Sequence, residues 1–505
     1  LLTEAETAPW LEALAGQDPA TLPLYGIPIA IKDNIDLAGI PTTAGCAAFS
    51  YTPDESAFVV ERLIAAGAQP VGKTNLDQFA TGLVGTRSPW GATRNAFNPE
   101  YISGGSSSGS AVALTRGLAS FTLGTDTAGS GRIPAAFNNL VGIKPSRGLL
   151  STRGVVPACR SLDCVSVFTL DCDDAAAVMD VVTGFDAQDP YARKSHASPP
   201  APAPFRFGVP KDSQLEFFGD EEAASLFRQS VERLRGLGGE MVSVDFGPFL
   251  DTARLLYEGP WVAERYAAIE SFIESRPQDM LPVTRGNIEP GGALRSVDAF
   301  KAQYRLQSLK RQADMAWLEV DFILTPTAGT IYSIDAVNDD PVRLNSNLGY
   351  YTNFMNLLDC AAVAVPAGWR DSGLPFGVTL FAPAFHDAAL MHYAARLHHA
   401  AGLTLGATTE PAPEPPPPSE PDKDTVRLMV CGAHMQGLPL NHQLTERGAR
   451  CVAATRTAAR YRLYALAGGP PYRPGLVRDE AQGAAIDVEV WELPLTGLGG
   501  FMAGI

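Results

Sequence analysis

Apolar residues recur along most of the chain at two spacings, one typical of amphipathic helices and one typical of short buried strands. The stretches 56–67 (SAFVVERLIAAG) and 108–118 (SGSAVALTRGL) carry apolar residues at helical spacing. The runs 119–125, 320–327 and 360–368 are short, apolar and rich in β-branched residues or alanine, which favours buried strands. Such an alternation of helices and strands predicts an α/β fold in which a large mixed β-sheet is covered by helices.

Proline composition predicts where the chain divides. The segment 409–424 (TEPAPEPPPPSEPDKD) concentrates prolines and acidic residues, so we expect an extended linker there. It separates a large unit, 1–408, from a small α+β C-terminal domain, 425–505. Because the sequence begins without Met and ends at FMAGI, we expect both ends to be trimmed and the small domain to be incomplete.

The overall composition narrows the classes of function. The 505 residues are 46% apolar and 19% charged, with a formal net charge of −16, which is typical of a globular protein and disfavours nucleic-acid binding. No apolar run is long enough for a membrane span. The seven cysteines form no C-x-x-C pair and no zinc spacing, which predicts reduced thiols in a cytoplasmic protein. The sequence implies no metal or organic cofactor.

Candidate chemistry concentrates in two turns of glycine and serine, 104–110 and 124–131, separated by a predicted helix and strand. A serine nucleophile needs an adjacent base, and the first histidine of the chain comes only at His196. Lysine can serve as the base if burial lowers its pKa. Lys32 and Lys73 each follow a short apolar run, and composition alone leaves both open.

The two turns carry a family resemblance. GGSSSGSAVA (104–113) followed by GTDTAGSGRIPAA (124–136) resembles the amidase signature family, whose members use a Ser–cis-Ser–Lys triad. The resemblance implies the fold of that family and the roles of catalytic lysine for Lys32, cis-serine for Ser106 and nucleophile for Ser130. The backbone amides that it implies for the oxyanion hole are those of Thr127, Ala128, Gly129 and Ser130.

Two further points concern the same turns. Residues 105–109 also fit a G-x-S-x-G nucleophile elbow, but that motif requires a preceding strand, and 95–104 has the composition of a loop. We therefore favour the arrangement with two serines. Asp126 lies within the second turn, where we expect it to brace the loop and not to act as a base.

A finer resemblance concerns the substrate. Most members of the family carry Gly-Gly-Ser-Ile-Arg at the nucleophile, whereas this chain has 128–132 as Ala-Gly-Ser-Gly-Arg. Together with 80–91, 147–166 and 255–269, this departure resembles the allophanate hydrolase branch of the family. That branch hydrolyses urea-1-carboxylate, so the resemblance implies a small anionic substrate, a homodimer, and an association with urea carboxylase or with enzymes of cyanuric acid degradation.

The anionic substrate requires a cation in the pocket. The resemblance assigns carboxylate recognition to Tyr257 and Arg265, and their spacing predicts two turns of one helix. The competing interpretation is a surface helix on which Glu258 and Glu264 pair with the arginine. In the C-terminal domain, His434 and Asn441 are the polar candidates, and a role in decarboxylating the first product competes with a scaffold role. For the whole chain, the alternatives are an amidase acting on another small amide, or a silent scaffold protein.

Overall fold

The computed structural model describes residues 1–195, 204–415, 425–466 and 474–502, which belong to two compact units. The first unit contains the described residues up to 415, and the second contains those from 425 onward. Most of the predicted linker, 416–424, lies outside the described residues. Its first residues belong to the first unit, where Leu405 N donates to Glu410 O at 2.8 Å. The exact domain boundaries stay a prediction.

A ten-stranded mixed sheet forms the centre of the first unit. Its strands are β1 (Pro28–Lys32), β2 (Gln69–Thr74), β3 (Phe121–Asp126), β4 (Val141–Lys144), β5 (Cys164–Thr169), β6 (Phe205–Pro210), β7 (Gly239–Val244), β8 (Phe322–Pro326), β9 (Cys360–Trp369) and β10 (Pro375–Pro383). They are ordered β2-β1-β3-β5-β4-β9-β10-β8-β6-β7 across the sheet. β1 pairs in parallel with β2 and β3, and β6 pairs in parallel with β7 and β8, while the central pairs from β3 to β10 are antiparallel.

Helices cover this sheet. They are α1 (Glu4–Leu14), α2 (Phe58–Ala65), α3 (Ser108–Thr115), α4 (Ile133–Phe137), α5 (Cys172–Val182), α6 (Glu221–Gly236), α7 (Gly247–Glu258), α8 (Trp261–Ala268), α9 (Glu270–Ser275), α10 (Pro282–Ile288), α11 (Ser296–Ala313), α12 (Ile334–Asp339), α13 (Arg343–Leu348) and α14 (Asp387–Ala401). Within the described part of the chain, no helix combines the length and apolar character needed to cross a bilayer. The predicted α/β class is confirmed, and helices 56–67 and 108–118 are present as α2 and α3.

Burial explains why the central strands read as apolar runs. β3, β4 and β5 are buried along their whole length, and β9 is buried in all but its last residue. Both faces of these strands are covered, so no alternation with polar residues is required. An aromatic cluster of Phe246, Phe249, Phe354 and Phe381 packs on this core, with ring centroids 5.0–5.9 Å apart.

The sheet topology also determines where Lys32 and the turn that carries Ser130 lie. β1 and β3 are parallel neighbours, so their carboxyl ends meet at the same edge of the sheet. Lys32 is the last residue of β1, and the turn 127–131 begins directly after Asp126, the last residue of β3. Lys32 and the turn that carries Ser130 are therefore brought to the same edge of the sheet.

The second unit is small and contains both strands and helices. A three-stranded antiparallel sheet consists of β11 (Thr425–Val430), β12 (Arg450–Arg456) and β15 (Asp487–Pro494), with β15 in the centre. A hairpin pairs β13 (Tyr461–Ala465) with β14 (Pro474–Arg478), and the helices are α15 (His442–Thr445) and α16 (Leu495–Met502). Leu444, Trp491, Leu493 and Phe501 form its core, which confirms the predicted small C-terminal domain of mixed structure.

Candidate active site

Lys32 provides a buried amine at the end of β1. Its side chain is fully buried, and its Nζ lies 2.8 Å from Ser106 Oγ and 2.8 Å from Thr125 Oγ1. Burial lowers the Lys32 pKa to about 7, although the charges of three buried aspartates oppose that shift. Near neutral pH the amine therefore exists in both its protonated and its neutral form, and only the neutral form can accept a proton.

The other lysine that the sequence left open has a different environment. Lys73 Nζ forms a salt bridge with Asp33 Oδ1 at 3.0 Å and donates to Thr42 Oγ1 at 3.0 Å. Its nearest polar groups thus belong to the segment that follows β1 and not to either serine turn. Of the two candidates, Lys32 is the one that contacts a serine of the first turn.

Asp77 holds the backbone around Ser106. The peptide bond between Gly105 and Ser106 is cis, and the Asp77 amide donates to Ser106 O at 3.1 Å. The Asp77 carboxylate accepts three backbone N–H bonds from the segment 84–87 at 2.9–3.1 Å. A Cβ at position 105 would lie 2.1 Å from Asp77 Oδ2, so only glycine fits there. Asp77 therefore connects segment 84–87 directly to the backbone of Ser106.

The turn that carries Ser130 is held by a buried ion pair. Asp126 accepts N–H bonds from Gly129 and Gly131, each at 2.9 Å, and two guanidinium bonds from Arg132 at 2.9 Å. Burial alone would raise the Asp126 pKa, but the Arg132 charge and these hydrogen bonds lower it overall. The carboxylate therefore stays ionised and braces the loop, as the sequence suggested.

Three backbone N–H groups of this turn have no hydrogen-bond partner. Among the hydrogen bonds of the described residues, none involves the N–H groups of Thr127, Ala128 or Ser130. Gly129 differs from them because its N–H is engaged by Asp126. Unpaired amides within one turn are suited to bind an oxyanion, and three of the four predicted donors have no hydrogen-bond partner here.

Ser130 itself is nearly buried and close to the end of β3, with 3% of its surface exposed. No hydrogen bond links its hydroxyl to Ser106 in the described part of the chain. Of the three proposed catalytic residues, only Lys32 and Ser106 are therefore in direct hydrogen-bond contact. The elbow alternative receives no support, since Ser107 Oγ donates to Thr125 O at 3.1 Å and no strand of the described residues ends just before it.

Tyr257 and Arg265 lie close together, but the prediction that they share one helix is wrong. Tyr257 belongs to α7 and Arg265 to α8, and the helices separate at Gly259–Pro260, where proline lacks the N–H that helix continuation needs. The Arg265 guanidinium still lies 5.4 Å from the centre of the Tyr257 ring. Arg265 is buried and forms no salt bridge in the described chain, which counts against the paired surface helix.

In the second unit, His434 contacts an amide and not an acid. Its Nε2 lies 3.0 Å from Gln443 Oε1, and its carbonyl accepts a bond from Asn441 Nδ2 at 2.9 Å. The ring packs edge-on against Phe501. Within the described ranges, no group of three or more His, Cys, Asp or Glu residues is arranged to hold a metal ion.

Sequence reasoning missed two residues of this site. Thr125 accepts a hydrogen bond from Lys32, and it already stood in the second serine turn. Asp77 follows β2, which is the parallel neighbour of β1. The rule that polar residues after parallel strands share one edge of the sheet could have found it from the predicted strands.

Comparison with known proteins agrees with this geometry. The sequence profile of the amidase family matches residues 3–391, and that of the allophanate hydrolase C-terminal domain matches residues 426–505. The structure resembles that of Kluyveromyces lactis allophanate hydrolase, with a TM-score of 0.82 and 42% identity, covering 100% of this chain and 84% of that one.

Curated relatives include the urea amidolyase of Saccharomyces cerevisiae, which is 44% identical over 96% of this chain. The chain spans only 27% of that protein. A glutamyl-tRNA(Gln) amidotransferase subunit of Prochlorococcus marinus is 33% identical over 76% of this chain and 85% of its own length. The chain belongs to the amidase family and carries an allophanate hydrolase C-terminal domain.

Proposed function

We propose that this chain is an allophanate hydrolase, an amidohydrolase that cleaves the terminal C–N bond of urea-1-carboxylate. The observation that carries the proposal is the buried Lys32 amine 2.8 Å from Ser106 Oγ, next to a turn with unpaired amides. The similarity to the K. lactis enzyme over the whole chain supports the choice of substrate. The products are ammonia and N-carboxycarbamate, which goes on to ammonia and carbon dioxide.

Acylation begins at the lysine. Neutral Lys32 accepts the Ser106 proton, Ser106 takes the proton of Ser130, and the Ser130 oxygen attacks the amide carbon of the substrate. The amides of Thr127, Ala128 and Ser130 stabilise the oxyanion, while the Gly129 amide stays with Asp126. The C–N bond then breaks, and the proton returns through Ser106 to the nitrogen, which leaves as ammonia.

Deacylation uses the same groups in reverse. Water loses a proton to the Ser106–Lys32 pair and attacks the acyl carbon, and the bond to Ser130 breaks as the serine regains its proton. One water is consumed for each ammonia released, and N-carboxycarbamate leaves. No step requires a metal ion or an organic cofactor.

Recognition of the substrate rests on its carboxylate. The Arg265 Nη1 donates to Thr81 Oγ1 at 3.1 Å, while its Nε is buried without a hydrogen-bond partner in the described residues. A buried guanidinium with unused donors is suited to bind a carboxylate, and the Tyr257 hydroxyl adds a further hydrogen bond.

Hydrolysis of another small amide is the alternative function, since an amidotransferase component is similar in sequence over three quarters of the chain.

The decisive measurement is ammonia release from allophanate by the intact chain and by Ser130→Ala. We expect a loss of at least about 10³-fold, because removing a nucleophile leaves only binding and oxyanion stabilisation. Ser50→Ala, at an exposed position, is the matched control and should retain full activity. Undiminished activity in Ser130→Ala would exclude the mechanism, whereas equal turnover of neutral amides by the wild type would favour the alternative substrate class.

The second unit and the partners need separate tests. We propose that the chain works as a homodimer beside urea carboxylase or enzymes of cyanuric acid degradation, which supply its substrate. Light scattering measures the mass in solution, which a homodimer doubles.

For His434, a role in decarboxylation and a role in assembly predict different results. His434→Ala would slow carbon dioxide release in the first case, and would change only the oligomeric mass or stability in the second.

A further inference from the structure

Arg87 is a buried arginine that the proposed mechanism does not use. It lies in the segment held by Asp77, and only 3% of its surface is exposed. Its Nη1 donates to Thr81 O at 2.9 Å and its Nη2 to Pro341 O at 2.6 Å, both uncharged carbonyl groups. Its Nε is buried and has no partner among the described residues. No salt bridge of the described chain includes it.

Thr81 brings this arginine next to Arg265. The carbonyl oxygen of Thr81 accepts from Arg87, and its hydroxyl oxygen accepts from Arg265 at 3.1 Å. Burial lowers the Arg87 pKa, the Asp77 charge opposes that shift, and the Arg265 charge adds to it. Both guanidinium groups nevertheless remain charged at neutral pH. The charges of Asp77 on Arg87, and of Asp163 and Glu264 on Arg265, act without direct contact, because neither guanidinium forms an ion pair in the described chain. Two buried like charges on one threonine therefore favour binding of an anion beside them.

The space beside these groups is open. A cavity of about 370 Å³ is lined by Arg87, Tyr257 and Asn345, and by Glu258, which is exposed to solvent. Arg265 contacts the Tyr257 ring, and the backbone of Arg87 is joined through Asp77 to that of Ser106. Two residues that line the cavity therefore contact the site: Tyr257 contacts the arginine assigned to substrate recognition, and Arg87 is joined through Asp77 to the backbone of the proton-transferring serine.

We propose that Arg87 is a second cation for the carboxylate of the substrate, so that the carboxylate is bound by both Arg87 and Arg265 with Tyr257 beside them. The inference rests on the proposed function and adds a specificity-determining residue to it. Each guanidinium keeps unused N–H donors after its bonds to Thr81, including a buried Nε without a partner, and a carboxylate has two oxygens to accept them. An uncharged substrate would leave both guanidinium groups without a carboxylate in direct contact.

Kinetics with two matched substrates test this. Biuret is allophanate with its carboxylate replaced by a neutral amide. We expect Arg87→Gln to raise the KM for allophanate at least about tenfold, and to change kcat/KM for biuret less than about threefold. The control is Arg94→Gln, an exposed arginine that also donates to a carbonyl, Pro99 O at 2.7 Å. An unchanged allophanate KM, or an equal loss with both substrates, would overturn the proposal, because a purely structural arginine affects both alike.

Arg87→Lys covers the case in which the glutamine variant does not fold. Lysine keeps the charge but lacks the planar fork, so the preference for allophanate over biuret should fall severalfold, and an unchanged preference would contradict the proposal.

A binding measurement tests the anion site independently of the reaction. In a Ser130→Ala background, Arg87→Gln should weaken malonamate binding at least about tenfold in calorimetry and leave neutral malonamide unaffected. Equal effects would exclude the anion site even if allophanate is not the substrate.

Discussion

Acidification should slow acylation in proportion to the neutral fraction of Lys32. With a pKa of about 7, the neutral fraction is about nine tenths at pH 8, one half at pH 7 and about 3% at pH 5.5. The rate of acylation should therefore fall about 30-fold between pH 8 and pH 5.5. An ordinary lysine, with a pKa of 10.5, would be neutral in only about one molecule in 3,000 at pH 7.

A second buried group titrates in the same range. Burial raises the Asp163 pKa to about 6, and this carboxylate accepts a hydrogen bond from the Thr127 hydroxyl in the serine turn. Its protonation removes an acceptor from that bond and from the amides of Ala158 and Cys159. The acid limb should consequently steepen beyond a slope of one below about pH 6.

The assay is single-turnover ammonia release, which isolates acylation from product release, with the uncatalysed decay of allophanate subtracted at each pH. Lys301→Met, at an exposed site of α11, controls for a general loss of positive charge and should keep the wild-type profile. A flat rate from pH 8 to pH 5.5 would refute the role of Lys32 as proton acceptor. An acid limb centred near pH 10 would instead refute the effect of burial.

Four other outcomes are expected. Lys32→Met should abolish activity and raise the free energy of unfolding at pH 7, because it removes a penalty of about 4 kcal/mol for burying the charged amine. The Lys32 pKa is lower in the folded than in the unfolded state, so wild-type stability rises with pH from about 7 to 10.5. Urea titrations should therefore show that the extra stability of Lys32→Met over wild type shrinks across that window. Asp126→Asn should cost about 3–5 kcal/mol by leaving a buried arginine unpaired, whereas Asp251→Asn, in an exposed pair, should cost under about 1 kcal/mol in the same titrations. Tyr257→Phe should raise the KM for allophanate about threefold to tenfold without lowering kcat, as steady-state kinetics would show. Chelator should leave the rate of ammonia release unchanged.

Local pattern was sufficient to predict much of the fold. The helix predicted at 56–67 is present because it buries the apolar face that its spacing defines, whereas the strands at 320–327 and 360–368 are present as apolar runs buried on both faces. The helix predicted at 108–118 is also present, as α3. The break between α7 and α8 was readable as well, because Gly259–Pro260 interrupts the helical spacing. Treating 257–265 as one helix gave weight to spacing over proline chemistry.

The candidate site was predictable only in part, since its contacts join distant segments. Lys32 and Ser106 stand 74 positions apart, and the backbone of Ser106 is held in place by Asp77, which follows β2. The commitment of the Gly129 amide to Asp126 depends on the exact path of one turn, which composition does not determine. The catalytic roles themselves stay predictions until variants are measured.

The positions of the residues proposed for catalysis and for recognition have an evolutionary consequence. The residues proposed for catalysis, Lys32, Ser106 and Ser130, come from the first third of the sequence, whereas Tyr257 and Arg265, proposed for recognition, come from helices between β7 and β8. A descendant can therefore acquire a new preference by rewriting these helices while its inherited chemistry stays intact. Thr81 limits that freedom, since any replacement for Arg265 must still fit against its hydroxyl.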